Sequence, residues 1–403
     1  GALLLLLAAA VVAMLTRRLR LPYSVGLVAA GMALALLPLA PKIGFTKELI
    51  FNGLLPPLLF EAAFYLRWNQ LRRELPVILT LASAGVALAG AVTAIGMHYF
   101  AHWHWPNALV FGSLIAATDP VSVIATFREA KVHGRLRLLI EAESLLNDGT
   151  AAVAFGVAVT FATGHDLTAI DLTKSLVATV GGALLCGAAV GGMALFLTRH
   201  TEDHLVELTF TTVAAYGSFL LAEQFHCSGV FATIAAGLII GNWGPLGVLS
   251  DRGREAAQAF WEYAAFVANS LVFLLIGMQE TRQDFAAVWL PGVVAVVFVV
   301  FGRAVAVYPI CLLFARSDLR VTVRHQHALL WGGLRGALAL ALALGLPVEL
   351  AGRAEIITVS FAVVAFSVFV QGLTMPPLLR AIGEIPMRTR TRSLERAGDS
   401  GPQ

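Results

Sequence analysis

Charge is what this 403-residue sequence has least of: 28 Lys and Arg and 25 Asp and Glu amount to 13% of it, against roughly a quarter in an ordinary globular chain. A soluble chain of this length would divide into two or three cores and would need far more surface charge. Disordered, fibrous and secreted classes are excluded with it. The net charge of +3 is small and dispersed, with no basic patch interleaved with aromatics, which argues against a nucleic-acid partner. Cysteine is also scarce. Cys186, Cys227 and Cys311 lie in or beside apolar runs without metal-ligand spacing, and are expected to be small buried hydrophobes. The first apolar run, Gly1 to Leu15, lacks a charged leader and a small-residue cleavage signature, so it reads as a span and not as a signal peptide.

What is abundant is apolar length. Hydrophobic residues make up 58% of the chain and the mean hydropathy is +0.80, as in an all-α polytopic membrane protein. With about 20 residues per span, thirteen candidates emerge. They are 1–15, 22–39, 48–66, 75–100, 106–127, 138–162, 172–197, 205–225, 228–244, 256–279, 285–314, 327–346 and 355–382. Lys and Arg in short loops mark the cytoplasmic side. Of the 28, 20 fall in the loops after odd-numbered spans or in the tail and four in the other loops, while Lys174, Arg303, Arg335 and Arg380 fall within spans. The N-terminus is therefore expected outside and the basic tail, 383–403, inside. A weak internal echo pairs Val28-Ala29-Ala30-Gly31 in the second span with Ile234-Ala235-Ala236-Gly237 in the ninth. A repeat displaced by seven spans would be inverted in the membrane, although small residues at this spacing also serve close helix packing.

Ionisable groups inside spans are costly and so are functional candidates. Asp119 lies in mid-span before Pro120, whose ring breaks the fifth helix and frees backbone groups able to hold an ion. The sixth span carries Glu143, Ser144, Asn147 and Asp148, with Ser144 and Asp148 on one stripe and Glu143 and Asn147 on the next. Oxygen donors of this kind suit hard monovalent cations. The twelfth span is interrupted by Gly332, Gly333 and Gly336 around Arg335, where glycine permits unwinding. If this segment crosses the broken fifth helix, Arg335 is expected to pair with Glu143. The partner of Arg303 is open between an acid and a helix C-terminus. Glu61, after the prolines Pro56 and Pro57, is a candidate for an aqueous pathway. Glu207, Glu223 and Glu262 are expected at exposed span ends, Glu141 in water near the cytoplasmic end, and His98, His102 and His104 with Trp103 and Trp105 in an outer interface belt.

Three motifs in order, Thr118-Asp119-Pro120, Glu143-Ser144-Leu145-Leu146-Asn147-Asp148 and Gly332-Gly333-Leu334-Arg335-Gly336, resemble those of the monovalent cation/proton antiporters, in the branch of bacterial NhaP-type proteins and animal sodium/proton exchangers. The resemblance runs to about Ile382. It implies two inverted six-helix repeats, a homodimer in the cell (inner) membrane, and a core domain (roughly 75–162 and 285–382) moving against a dimerisation domain (roughly 1–74 and 205–284), with 172–197 as linker helix. It further implies Asp148 as carrier of cation and proton, with Thr118, Asp119 and Ser144 completing the Na+ site. Glu143 would pair with Arg335 and reach the ion through water, and Asn147 would hold the unwound segment. Neither an enzymatic role nor a cofactor is implied.

The chemistry is legible without the family. Burial disfavours the charged form of a carboxylate, so a proton and a cation compete for Asp148, and the empty anion is costly to move through a low-dielectric barrier. Because Asn147 and not a second acid precedes Asp148, the expected exchange is one cation for one proton. K+ or Li+ could replace Na+. A channel would not need the titratable carboxylate, and an aspartyl-protease dyad of Asp119 and Asp148 lacks the expected glycine context.

Overall fold

A computed structural model of the chain describes residues 2–19, 21–37, 46–119, 123, 124, 127, 134–164, 169–244 and 248–385. Pro120 and the tail beyond 385 lie outside the described residues. Within them, fourteen helices occupy the places of the expected spans: α1 (Ala2–Leu19), α2 (Tyr23–Ala35), α3 (Leu49–Tyr65), α4 (Trp68–Phe100), α5 (Trp105–Ile115), α6 (Arg135–Ala162), α7 (Ala169–Thr198), α8 (His204–Gln224), α9 (Gly229–Trp243), α10 (Asp251–Glu280), α11 (Trp289–Leu313), α12 (Val323–Trp331), α13 (Ala337–Leu344) and α14 (Arg353–Ala381). The twelfth candidate span is two helices, α12 and α13, and the fifth unwinds after Ile115 and is helical again at residues 123, 124 and 127. Among the described residues, seven helices are long and apolar enough to cross a membrane: α4, α6, α7, α8, α10, α11 and α14.

Proline shapes several of these. Pro56 and Pro57 follow a π-helical stretch, Leu49–Leu54, and Pro376 and Pro377 follow another, Ser367–Gly372. Such wide turns absorb the ring that an α-helical ladder would reject. The carbonyl that Pro57 leaves without its usual donor, Gly53 O, accepts the Tyr216 hydroxyl of α8 at 3.1 Å.

Two groups of helices emerge from the packing. In one, α2 lies along α10, and α9 packs on α3, α7 and α8. In the other, α4 lies along α5 and α11, α5 packs on α6, and α12 and α14 on α11. Small residues set the closest approaches, as expected without a hydrophobic drive between spans. A side chain at Gly31 would strike Leu274 O, and one at Gly112 would strike Gly90 O. In the echo stripes, Gly31 meets α10 while Gly237 meets Phe60 and Ala63 of α3, so both serve close packing.

Several expectations are corrected. Glu207 is wholly buried and not at an exposed span end. Its carboxylate accepts the Ser250 N–H at 3.2 Å and the Ser250 hydroxyl at 3.0 Å, because the N-terminus of α10 offers donors and a favourable dipole. Only Cys311 among the cysteines is buried; Cys186 and Cys227 are half-buried. Trp103 is buried against the protein and its indole N–H donates to Glu355 at 2.9 Å, while His98 stacks on the exposed Trp105.

Candidate functional site

The unwound segments after α5 and α12 meet. Asp119 N–H donates to Leu334 O at 2.7 Å, an isolated antiparallel bridge between two extended residues. Glycine makes this approach possible through space. A Cβ at Gly336 would collide with an Asp119 carboxylate oxygen, and one at Gly333 would come within 2.8 Å of the Arg303 guanidinium.

α6 runs beside the crossing and repairs the broken backbone. Thr118 N–H, orphaned by the break, donates to Asn147 Oδ1 at 3.1 Å. Asn147 Nδ2 donates to Thr118 Oγ1 and, at 3.0 Å, to Glu143 Oε1. The Thr118 and Ser144 hydroxyls lie 2.9 Å apart. Asn147, Ser144, Glu143 and Thr118 are all buried. Asn147 thus spends both amide hydrogens and one oxygen lone pair on the unwound strand and on Glu143, which suits the holding role.

The expected Glu143 pairing with Arg335 is not found. Arg303 takes both Glu143 oxygens, NH1 and NH2 each at 2.8 Å, the planar two-point geometry that guanidinium and carboxylate favour. It also donates to Leu329 O at 3.2 Å, near the C-terminal end of α12. Arg335, with Glu143 already saturated, donates to Ala117 O at 3.3 Å and Gly333 O at 3.2 Å. Each arginine therefore supplies donors where a broken helix leaves carbonyls unfilled.

Asp119 and Asp148 remain. Both are half-buried and both line a cavity of about 640 Å³, with Thr118 and Gly336 beside them. Asp148 lies close enough to feel the charges of Asp119 and Glu143. Glu61 and Glu262 line the same cavity, from α3 and α10, as does Glu141. Glu141 is mostly buried, its remaining exposure on the cavity wall, and pairs with Arg137 at 3.4 Å. Arg17, at the end of α1, also reaches the wall. Glu223 is exposed as expected and accepts the Gly229 N–H across the turn between α8 and α9. No cluster of His, Cys, Asp and Glu suited to a transition metal occurs among the described residues.

The family model described as sodium/hydrogen exchanger, transmembrane, matches residues 3–381. The chain belongs to the sodium/hydrogen exchanger family. Among curated relatives of this exchanger, the Na+/H+ antiporter ApNhaP of Aphanothece halophytica is 39% identical, covering 93% of this chain and 72% of the relative. NhaP of Pseudomonas aeruginosa is 31% identical, with 91% and 92% covered. The structure of the sodium proton antiporter MjNhaP1 from Methanocaldococcus jannaschii at pH 8 has the same fold: its TM-score is 0.76 at 19% identity, covering 95% of this chain and 98% of that one. These relatives are transporters and not enzymes.

Two features of the exchanger site are absent from its motifs. The Arg303 partnership joins residues 160 apart, and the entry of Glu262 into the cavity depends on how α10 faces α6.

Proposed function

We propose that the exchanger moves Na+ against H+ by alternating access, with one carboxylate site, Asp148 supported by Asp119, Thr118 and Ser144, serving both ions in turn. The observation that carries this reading is the pair of aspartates on the cavity wall beside the helix crossing, where every other acid of the motif is already spent. Cation and proton occupy the same carboxylate alternately, and neither can be carried with the other.

The local charges favour a one-for-one, electroneutral cycle. Arg303 and Glu143 cancel, and Arg335 offsets one aspartate. With both aspartates ionised, the empty site carries one net negative charge. One Na+ or one proton brings it to zero, and the uncompensated state is the one a low-dielectric barrier disfavours.

The group containing α4 to α6 and α11 to α14 is the moving core, and α1 to α3 with α8 to α10 form the dimerisation half of a homodimer. The helix expected to link them, α7, packs on α8 and α9. The broken helices stand seven spans apart and meet antiparallel, as corresponding members of two inverted six-helix repeats would. The protein spans the cell (inner) membrane with its N-terminus outside. The cavity mouth then lies at the cytoplasmic side, where α1 ends at Arg17 and Arg18 and α6 begins.

Dissipation of a pH gradient in proteoliposomes tests the proposal. Na+ is expected to collapse the gradient, and Li+ and K+ offered in turn measure selectivity. A gradient unchanged by all three would refute it.

A further inference from the structure

One buried carboxyl group lies outside the site and has no donor. Glu280 closes α10 and is 3% exposed, and among the described residues neither of its oxygens meets a hydrogen-bond partner. Burying such a group without a partner costs free energy, and its position gives the cost a purpose.

Along α10 the order is cavity, seal, carboxyl. Glu262, Ala265, Phe266 and Asn269 line the cavity. From Val272 to Met278 the helix is buried in an apolar cluster with Leu340, Ala341, Phe361 and Val364. Glu280 follows about three turns beyond Asn269, on the order of 16 Å along the axis. The opposite wall of this seal includes α13, which begins beside Asp119 at Gly336 and ends at Leu344. At that far end two cations are engaged elsewhere. Arg353 donates to Leu344 O and Leu346 O, each at 3.0 Å, and the Lys47 ammonium sits 5.6 Å from the Phe51 ring centre. Glu355 accepts the Trp103 N–H, and Arg282 and Asp284 are exposed in the following loop.

We propose that Glu280 is the cation-collecting carboxylate of the far mouth. When α13 shifts along α10 and the apolar seal parts, Glu280 becomes hydrated and draws Na+ toward Asp119 and Asp148 from the face opposite the present cavity. Glu61 and Glu262 do the same from the near face. The inference rests on the antiport reading given above and adds to it a sidedness that the shared site lacks.

Sodium uptake in sealed vesicles of the two orientations tests it, because each orientation presents one mouth to the added ion. Glu280→Gln is expected to raise the half-saturating Na+ concentration at the far face about threefold or more, by removing a charge that concentrates counter-ions, and to leave the near face unchanged. Glu262→Gln should do the reverse. A far-face half-saturating concentration in Glu280→Gln unchanged from that of the unmodified protein would overturn the proposal. Should that variant fail to fold, Glu280→Cys in a chain with Cys186, Cys227 and Cys311 replaced by alanine provides a second measurement. A membrane-impermeant cationic thiol reagent should modify it from the far face during turnover; absence of reaction during turnover would overturn the proposal. Exchange that persists in Asp148→Asn would instead refute the underlying antiport reading.

Discussion

Two arginines inside the bilayer perform complementary tasks at the crossing. Arg303, on α11, neutralises Glu143 and donates to the end of α12, while Arg335, beside α13, donates to the backbone beyond α5. Removing one partner of a buried pair leaves a bare charge, at a cost of about 3 to 5 kcal/mol. Glu143→Gln and Arg303→Gln should each destabilise by that order, and the double change by much less than their sum. Glu143→Gln with Arg335→Gln should instead be nearly additive, since those side chains do not bond. A thermal-shift double-mutant cycle distinguishes the two patterns; strong coupling of Glu143 to Arg335 would contradict the geometry.

At the scale of elements, the crossing depends on backbone proximity, and Gly336 is where it is tightest. Gly336→Ala would drive its methyl group into the Asp119 carboxylate. We expect the variant to fold and to lose about tenfold or more in transport, since small misplacements of a reacting group cost on the order of 10²-fold; initial Na+-driven rates in proteoliposomes measure this, and a wild-type rate would contradict it. Both breaks were legible in the sequence, from Asp119 before Pro120 and from the glycines around Arg335, because these residue types act locally. So was the set on α6, through its spacing of four. The partner of Glu143 was not legible. Both arginines are apolar-run cations, and only the three-dimensional placement of α11 against α6 decides between them. Glu207 looked like an exposed span end because its donors come from Ser250, more than 40 residues away. Glu280 fell just outside a span ended at Gln279, since a charged residue closes an apolar window whether or not it is buried.

At the scale of the molecule, the helices around the crossing are braced at both ends. Arg135 at the start of α6 holds Glu74 of α4 and the Leu319 and Arg320 carbonyls before α12. At the other end, Trp103 holds Glu355, and the Asn107 amide donates to Ala351 O. Such ties fit a group that moves as one body carrying its ion. If loaded states carry equal charge, a potassium diffusion potential should neither drive nor oppose sodium/proton exchange; uptake that follows the voltage would refute the one-for-one cycle. The rate should be bell-shaped in pH, because abundant protons displace Na+ and scarce protons starve the return step. The most direct measurement of the central claim is Na+-driven proton flux in proteoliposomes carrying Asp148→Asn, with its melting temperature taken alongside. The amide keeps the shape and cannot titrate, so the account predicts a folded protein with no coupled flux. Coupled flux retained in that variant would contradict it.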